Sequence, residues 1–192
     1  MFFYTCNIDK PCNIQTDVLQ LFAELKLPPN VEIIAMKKFL FILFFTLSIQ
    51  QINAQQIRII KLKELQEIIN SNSSPIQVIN FWATWCAPCV KELPLLETLH
   101  SKSLEGVKIT LVNLDFADKL DKVNAFVERK KMKAEVVLLD EIDYNQWIDK
   151  VDKHWGGAIP ATLVINSQNG KRKFIERELE EGELEKLIEE VK

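Results

Sequence analysis

From residue 57 onward the apolar positions follow two alternating rhythms. Runs of consecutive apolar, mostly β-branched residues predict strands, and apolar residues three and four apart predict helices. The first rhythm places a short edge strand at 55–60, carrying Ile57, Ile59 and Ile60, and a central strand at 75–81. It continues with strands at 107–114, 136–139, 162–165 and 171–175. The second rhythm gives a helix at 62–69 with Leu65, Ile68 and Ile69 on one side. It gives another at 90–104, with Val90, Leu93, Leu96, Leu99 and Leu104 inward. Further helices fall at 118–131 (Leu120, Val123, Phe126, Val127), at 144–151 around Trp147, and at 179–191 (Leu184, Leu187, Ile188, Val191). Gly106 and the polar clusters at 70–75 and 166–170 interrupt the pattern, and Asn169-Gly170 favours a tight hairpin. Pro94 falls inside the second helix, where a missing N–H predicts a kink.

The strand at 75–81 is apolar almost throughout, which suits a sheet covered on both faces. Helices between the early strands suit right-handed parallel crossovers, and the last strand pair reads as a hairpin. The expected fold is therefore α/β, a central mixed sheet flanked by helices, in one domain over 55–192.

The N-terminal part has a different character. Met36-Lys37-Lys38 precedes eleven residues, Phe39 to Ile49, that are almost wholly apolar. A short basic head, an apolar core and the polar stretch 50–54 read as a secretory signal at 36–54, with cleavage after Ala54. The apolar run is short for a span of about 20 residues, though an uncleaved inner-membrane anchor stays open. A signal beginning at residue 36 implies that Met36 is the true start and that 1–35 is a spurious or unstructured upstream extension. The alternative is a genuine leader over 1–35. The expected location is exported and periplasmic.

The 192-residue chain carries a net charge of −3, and 55–192 keeps that value. No polybasic run offers a handle for nucleic acid or an anionic membrane. Of its cysteines, Cys6 and Cys12 lie in the upstream extension, and Cys86 and Cys89 lie in the domain.

Cys86 and Cys89 follow directly on the central strand and precede a helix. There, unpaired N–H groups and the positive end of the helix dipole can hold a thiolate. Two intervening residues, Ala87 and Pro88, bring the second sulfur within disulfide reach. Structural zinc is a competing reading, but zinc wants four ligands, and only His100 and His154 follow residue 89 among histidines and cysteines. Inert core cysteines are another.

The stretch Val78-Ile79-Asn80-Phe81-Trp82-Ala83-Thr84-Trp85-Cys86-Ala87-Pro88-Cys89, continued by Lys91-Glu92-Leu93-Pro94, resembles the active-site segment of the thioredoxin superfamily. It is most similar to that of exported thiol-disulfide oxidoreductases of the TlpA/ResA type. Gly157-Ala158-Ile159-Pro160-Ala161-Thr162 matches the family's cis-proline loop, and the resemblance covers about 56–191. It implies a thioredoxin-like fold, a redox-active Cys86–Cys89 disulfide, Cys86 as exposed nucleophile and Cys89 as the buried resolving thiol. It places Pro160 beside the sulfurs, with the Ile159 backbone presented to substrate and Trp85, Ala87 and Pro88 shaping the site. No cofactor and no metal are implied.

Glu92 matches an acidic residue that tunes the thiols in ResA-like members, and as a buried carboxylate it would exchange a proton with Cys89. The alternative is a solvated helix glutamate. Cytoplasmic thioredoxins carry a buried Asp where this chain has Asn80, which cannot act as a base. Trp82 reads as core support, Trp155 as flanking the proline loop or simply packing, and His154 and Lys91 as surface groups. The expected function is protein-disulfide reduction in specific extracytoplasmic clients, cytochrome c apoproteins among the candidates. A membrane thiol-disulfide donor would supply electrons. An exported oxidase or exchanger, and a binding or chaperone module, are the competing readings.

Overall fold

The computed structural model describes residues 56–192. The signal-like segment, Met36, Cys6 and Cys12 lie outside the described residues.

Six strands form one sheet: β1 (Arg58–Ile60), β2 (Ile76–Trp82), β3 (Val107–Asn113), β4 (Glu135–Leu139), β5 (Ala161–Asn166) and β6 (Arg172–Ile175). Their spatial order is β1-β4-β3-β2-β5-β6. The β2–β3, β3–β4 and β1–β4 pairs are parallel, and β2–β5 and β5–β6 are antiparallel. The expected mixed sheet is thus observed, with β2 bonded on both sides along its length. All seven residues of β2 are buried, as a central strand covered on both faces requires.

Among the described residues five α-helices cover it: α1 (Leu62–Ile69), α2 (Ala87–Ser101), α3 (Leu120–Lys130), α4 (Tyr144–Val151) and α5 (Glu183–Val191). The core splits into two clusters, one per face. On one face α2, α3 and α5 contribute Leu93, Leu96, Leu99, Val123, Phe126, Leu184, Leu187 and Ile188. On the other, α1 and α4 contribute Leu65, Ile69, Trp147 and Val151. Strand alternation divides β2 between them: Val78 and Trp82 belong to the α2 face, Ile79 and Phe81 to the other. Asn80 shares the parity of Val78 and Trp82, which puts its side chain under α2. One residue of slip would remove it from the site.

Several element boundaries differ from the sequence pattern. Helix α2 starts at Ala87, earlier than the apolar spacing implied, because Cys86 caps it. It ends at Ser101, so Leu104 lies beyond it and is exposed. It continues through Pro94, with Thr98 Oγ1 donating to the Pro94 carbonyl oxygen at 2.7 Å. Helix α5 begins only at Glu183, because Gly182 takes a positive φ of 77° and breaks the chain direction. Leu179 is therefore a buried residue outside any helix, which frees its backbone N–H for another use. The β5–β6 connection is wider than a two-residue hairpin: the Asn166 N–H donates to Lys171 O, closing a loop over 167–170.

Candidate active site

Strand β2 ends at Trp82 and the chain turns through Ala83 to Trp85 before α2 begins. Cys86 is the N-cap, with extended φ and ψ of −86° and 100°. Its Sγ accepts the Cys89 N–H at 3.3 Å, so a sulfur occupies the place of a capping oxygen. Pro88 falls in the first turn, where the missing N–H costs nothing because those donors have no intrahelical partner. Cys86 and Cys89 are joined as a disulfide with Cα atoms 5.3 Å apart. Cys89 is fully enclosed, whereas Cys86 keeps 6% of its surface open. Ala87 and Pro88 are exposed beside it, and Trp85 is 63% exposed.

The loop before β5 closes the other side. The Ile159–Pro160 peptide bond is cis, and Cys86 Sγ lies 3.7 Å from Ile159 O. Pro160 is buried and Ile159 half-buried. This loop is braced from two directions. Trp155 Nε1 donates to Ala158 O at 2.8 Å, and the Trp155 ring packs on Phe81 at 4.6 Å between centroids. Glu176, just past β6, accepts the N–H groups of Gly156 at 3.0 Å and Ala158 at 2.8 Å. Gly157 between them has φ of 91°, a conformation a side chain would strain, and a Cβ there would meet Ile148 Cδ1 at 3.1 Å. Trp155 therefore both flanks the proline loop and packs in the core.

Beneath the disulfide lies a buried polar group. Glu92 is fully buried, which excludes a solvated helix glutamate. Its Oε1 accepts from Asn80 Nδ2 at 2.7 Å and its Oε2 from the Leu179 N–H at 2.8 Å. Burial pushes the Glu92 carboxyl above the usual glutamate range, further than those two donors pull it back, and Glu178 and Glu183 add to the rise. Asn80 Nδ2 also donates to Thr162 Oγ1 at 2.9 Å. Aiming its NH₂ at the carboxylate leaves Asn80 Oδ1 buried with no hydrogen-bond partner. Glu92 stands one helical turn beyond Cys89, on the same side of α2.

Some of this set is not visible in the one-dimensional pattern. Asp115 follows the C-terminal end of β3 at Asn113. In the fold it accepts the Thr84 N–H at 2.7 Å and the Thr84 hydroxyl at 2.6 Å, which fixes the turn before Cys86. An acidic residue directly after an apolar strand was the available signal. Glu176 and the Leu179 N–H carried none, because their partners are distant in sequence. Other residues stand away from the sulfurs' chemistry. The His154 side chain is 93% exposed and faces Asp152, and Lys91 is ion-paired with Glu178 at 2.6 Å. Trp82 is fully buried in the core.

The sheet order, the helix-capping disulfide and the cis-proline loop opposite it define a thioredoxin-like protein. The chain belongs to the AhpC/TSA family, a model of which matches residues 45–171. It is 29% identical over 116 residues to the thiol-disulfide oxidoreductase ResA of Geobacillus thermodenitrificans, covering 59% of this chain and 62% of that protein. It is 40% identical over 52 residues to the thioredoxin-like protein YneN of Bacillus subtilis, covering 27% of this chain and 31% of that one. The chain thus spans less than two-thirds of either relative. Among solved structures, a thioredoxin-related protein from Neisseria meningitidis serogroup B superposes with a TM-score of 0.55 at 25% identity, covering 64% of this chain and 89% of that one.

Proposed function

We propose that this protein is a thiol-disulfide oxidoreductase that reduces disulfides in specific client proteins outside the cytoplasm. The observation that carries the reading is the Cys86–Cys89 disulfide at the start of α2, with one sulfur partly open beside Ile159 and the other enclosed. In the reduced form the Cys86 thiolate, held by the helix N-terminus and the Cys89 N–H, attacks one sulfur of a client disulfide. A mixed disulfide forms and one client thiolate leaves. Cys89, having lost its proton, attacks Cys86 Sγ, releasing the second client thiolate and closing the Cys86–Cys89 bond. Two electrons pass from the protein to the client.

Cys89 is enclosed, so its proton needs a local acceptor, and in this reading Glu92, buried one turn along α2, takes it. Asn80 and the Leu179 N–H stabilise the carboxylate that accepts it, while burial opposes that charge. The exposed Trp85, Ala87 and Pro88 and the Ile159 backbone form the contact surface for the client. Export rests on the signal-like segment 36–54. An oxidising compartment would leave the pair as disulfide, so a membrane thiol-disulfide donor renews the dithiol, and cytochrome c apoproteins are fitting clients. The name ResA carried by one relative supports the reaction class.

The test is a Cys89→Ala variant expressed with its signal segment. It should accumulate a mixed disulfide through Cys86 with its client, releasable by dithiothreitol and identifiable by mass spectrometry. Absence of any adduct, with Cys86→Ala cells behaving as wild type, would favour a binding module instead. A Cys86–Cys89 potential near −120 mV, about that of strong oxidants, would overturn the reductase direction.

A further inference from the structure

Six large apolar side chains are exposed among the described residues, and four of them gather at one end of the sheet. Ile59 and Leu104, at 40% and 39%, stand elsewhere. Trp85 is 63% exposed, Phe116 62%, Ile142 75% and Tyr144 44%. They are carried by the segments that follow the C-terminal ends of β2, β3 and β4, three adjacent parallel strands. The hydrogen bonds from Thr84 to Asp115 tie the Trp85 segment to the Phe116 segment. Phe116, Ile142 and Tyr144 line one depression, which Asp115, Asp140 and Glu141 also border. An apolar strip therefore begins beside Cys86 and runs across the strand ends.

Its far end is acidic. Asp118 is ion-paired with Lys119 and Asp140 with Lys61. Glu141 and Asp143, which flank Ile142, have no cation within ion-pair distance among the described residues. Each carboxylate accepts only backbone or amide N–H groups, from Leu62 for Glu141 and from Asn145 and Gln146 for Asp143.

We infer that this strip docks the client segment adjoining the reacting cysteine, and that it selects an extended segment bearing an apolar side chain next to a Lys or Arg. The inference rests on the proposed thiol-disulfide activity and names its substrate preference. Adjacent strands are about 4.8 Å apart, so the end of β4 lies about 10 Å from the end of β2, about three residues of extended chain. A client side chain three or four residues from its cysteine reaches Ile142 and Tyr144 while the cysteine sits at Cys86. A cation beside that side chain meets Glu141 and Asp143. Continuity with the disulfide and the excess of carboxylates over cations at the far end favour such a client over a second copy of this net-negative chain.

The test uses the reduced, mature protein and synthetic peptides whose single cysteine is held as its glutathione disulfide. One carries Phe four residues from Cys with Lys beside it. The others replace Phe by Ser, or Lys by Glu. Each turnover moves two electrons from the Cys86/Cys89 dithiol to the peptide disulfide, giving peptide thiol and glutathione, both read by chromatography. The Phe/Lys peptide should react about tenfold faster than the Ser peptide, the scale expected for one buried aromatic side chain, and faster than the Glu peptide as well. An Ile142→Ser/Tyr144→Ser variant should bring that ratio close to one. A wild-type ratio near one, or a ratio the variant leaves intact, overturns the strip. So does a dimer in sedimentation that the same variant dissociates, since the strip would then cover a second copy. Failure of wild type to reduce any peptide, or glutathione disulfide itself, instead removes the dithiol activity and the strip with it.

Discussion

Glu92 shows how a single buried side chain ties stability to pH. Its carboxyl is raised from the ordinary value of 4.5, because burial disfavours the charge more than Asn80 and Leu179 favour it. The native state therefore holds this proton more tightly than the unfolded chain does. The stabilisation is fully present below the unfolded value and is lost as pH rises through the native one. In the disulfide form, where neither cysteine titrates, wild type should become less stable from about pH 4.5 upward relative to Glu92→Gln. Urea midpoints of both proteins at acidic and at neutral to alkaline pH check this. Parallel stability curves would mean that Glu92 titrates as in water. Asn80 contributes to the same balance: with its NH₂ committed to Glu92 and Thr162, it stabilises the anion without being able to take the proton.

At the scale of elements, the site is a meeting of strand ends and loops held from behind. The turn carrying Thr84 and Trp85 is fixed by Asp115 at the end of β3, and the proline loop by Glu176 beyond β6 and by Trp155. Asp115 is itself buried and also accepts from Asn113 Nδ2 at 2.9 Å. Replacing it with Ala leaves the Thr84 N–H and hydroxyl without their acceptor. Asp115→Ala should destabilise the protein by about 3 kcal/mol, the scale of losing hydrogen bonds to a charged group. It should also slow the reaction of the dithiol with glutathione disulfide, because Trp85 and Cys86 lose their fixed approach. Thermal unfolding and stopped-flow thiol exchange measure the two effects. Unchanged exchange in a destabilised variant would limit Asp115 to a purely structural part.

For the molecule as a whole, every described element lies after the apolar segment. The first buried core residue described is Ile57 and the first strand begins at Arg58. A cut after Ala54 leaves every described element intact. No helix among the described residues is long and apolar enough to cross a membrane. If the segment at 36–54 acts as the proposed signal, exported protein should begin at Gln55, read by intact mass and N-terminal sequencing. Material retaining 36–54 and sedimenting with membranes would indicate an anchor instead.

The order of elements and the dithiol motif were legible because both are local. Periodicity marks a strand or a helix over a few residues, and Cys86, Cys89 and the Ile159–Pro160 loop are short contiguous signals. Boundaries were less legible where a cap or a glycine, rather than apolar spacing, decides them. Cys86 draws the start of α2 back to Ala87, and Gly182 delays α5 to Glu183.

The sequence by itself determined that an α/β sheet would place a pair of cysteines at the start of a helix. Only the tertiary structure decided that Glu92 is buried, since that depends on β2 strand parity bringing Asn80 beneath α2 and on Leu179 staying out of α5. It also decided the bracing by Asp115 and Glu176 and the apolar strip from Trp85 to Tyr144. Those contacts join residues far apart in the chain, and hydrogen bonding and burial between distant segments leave no periodic trace in the sequence.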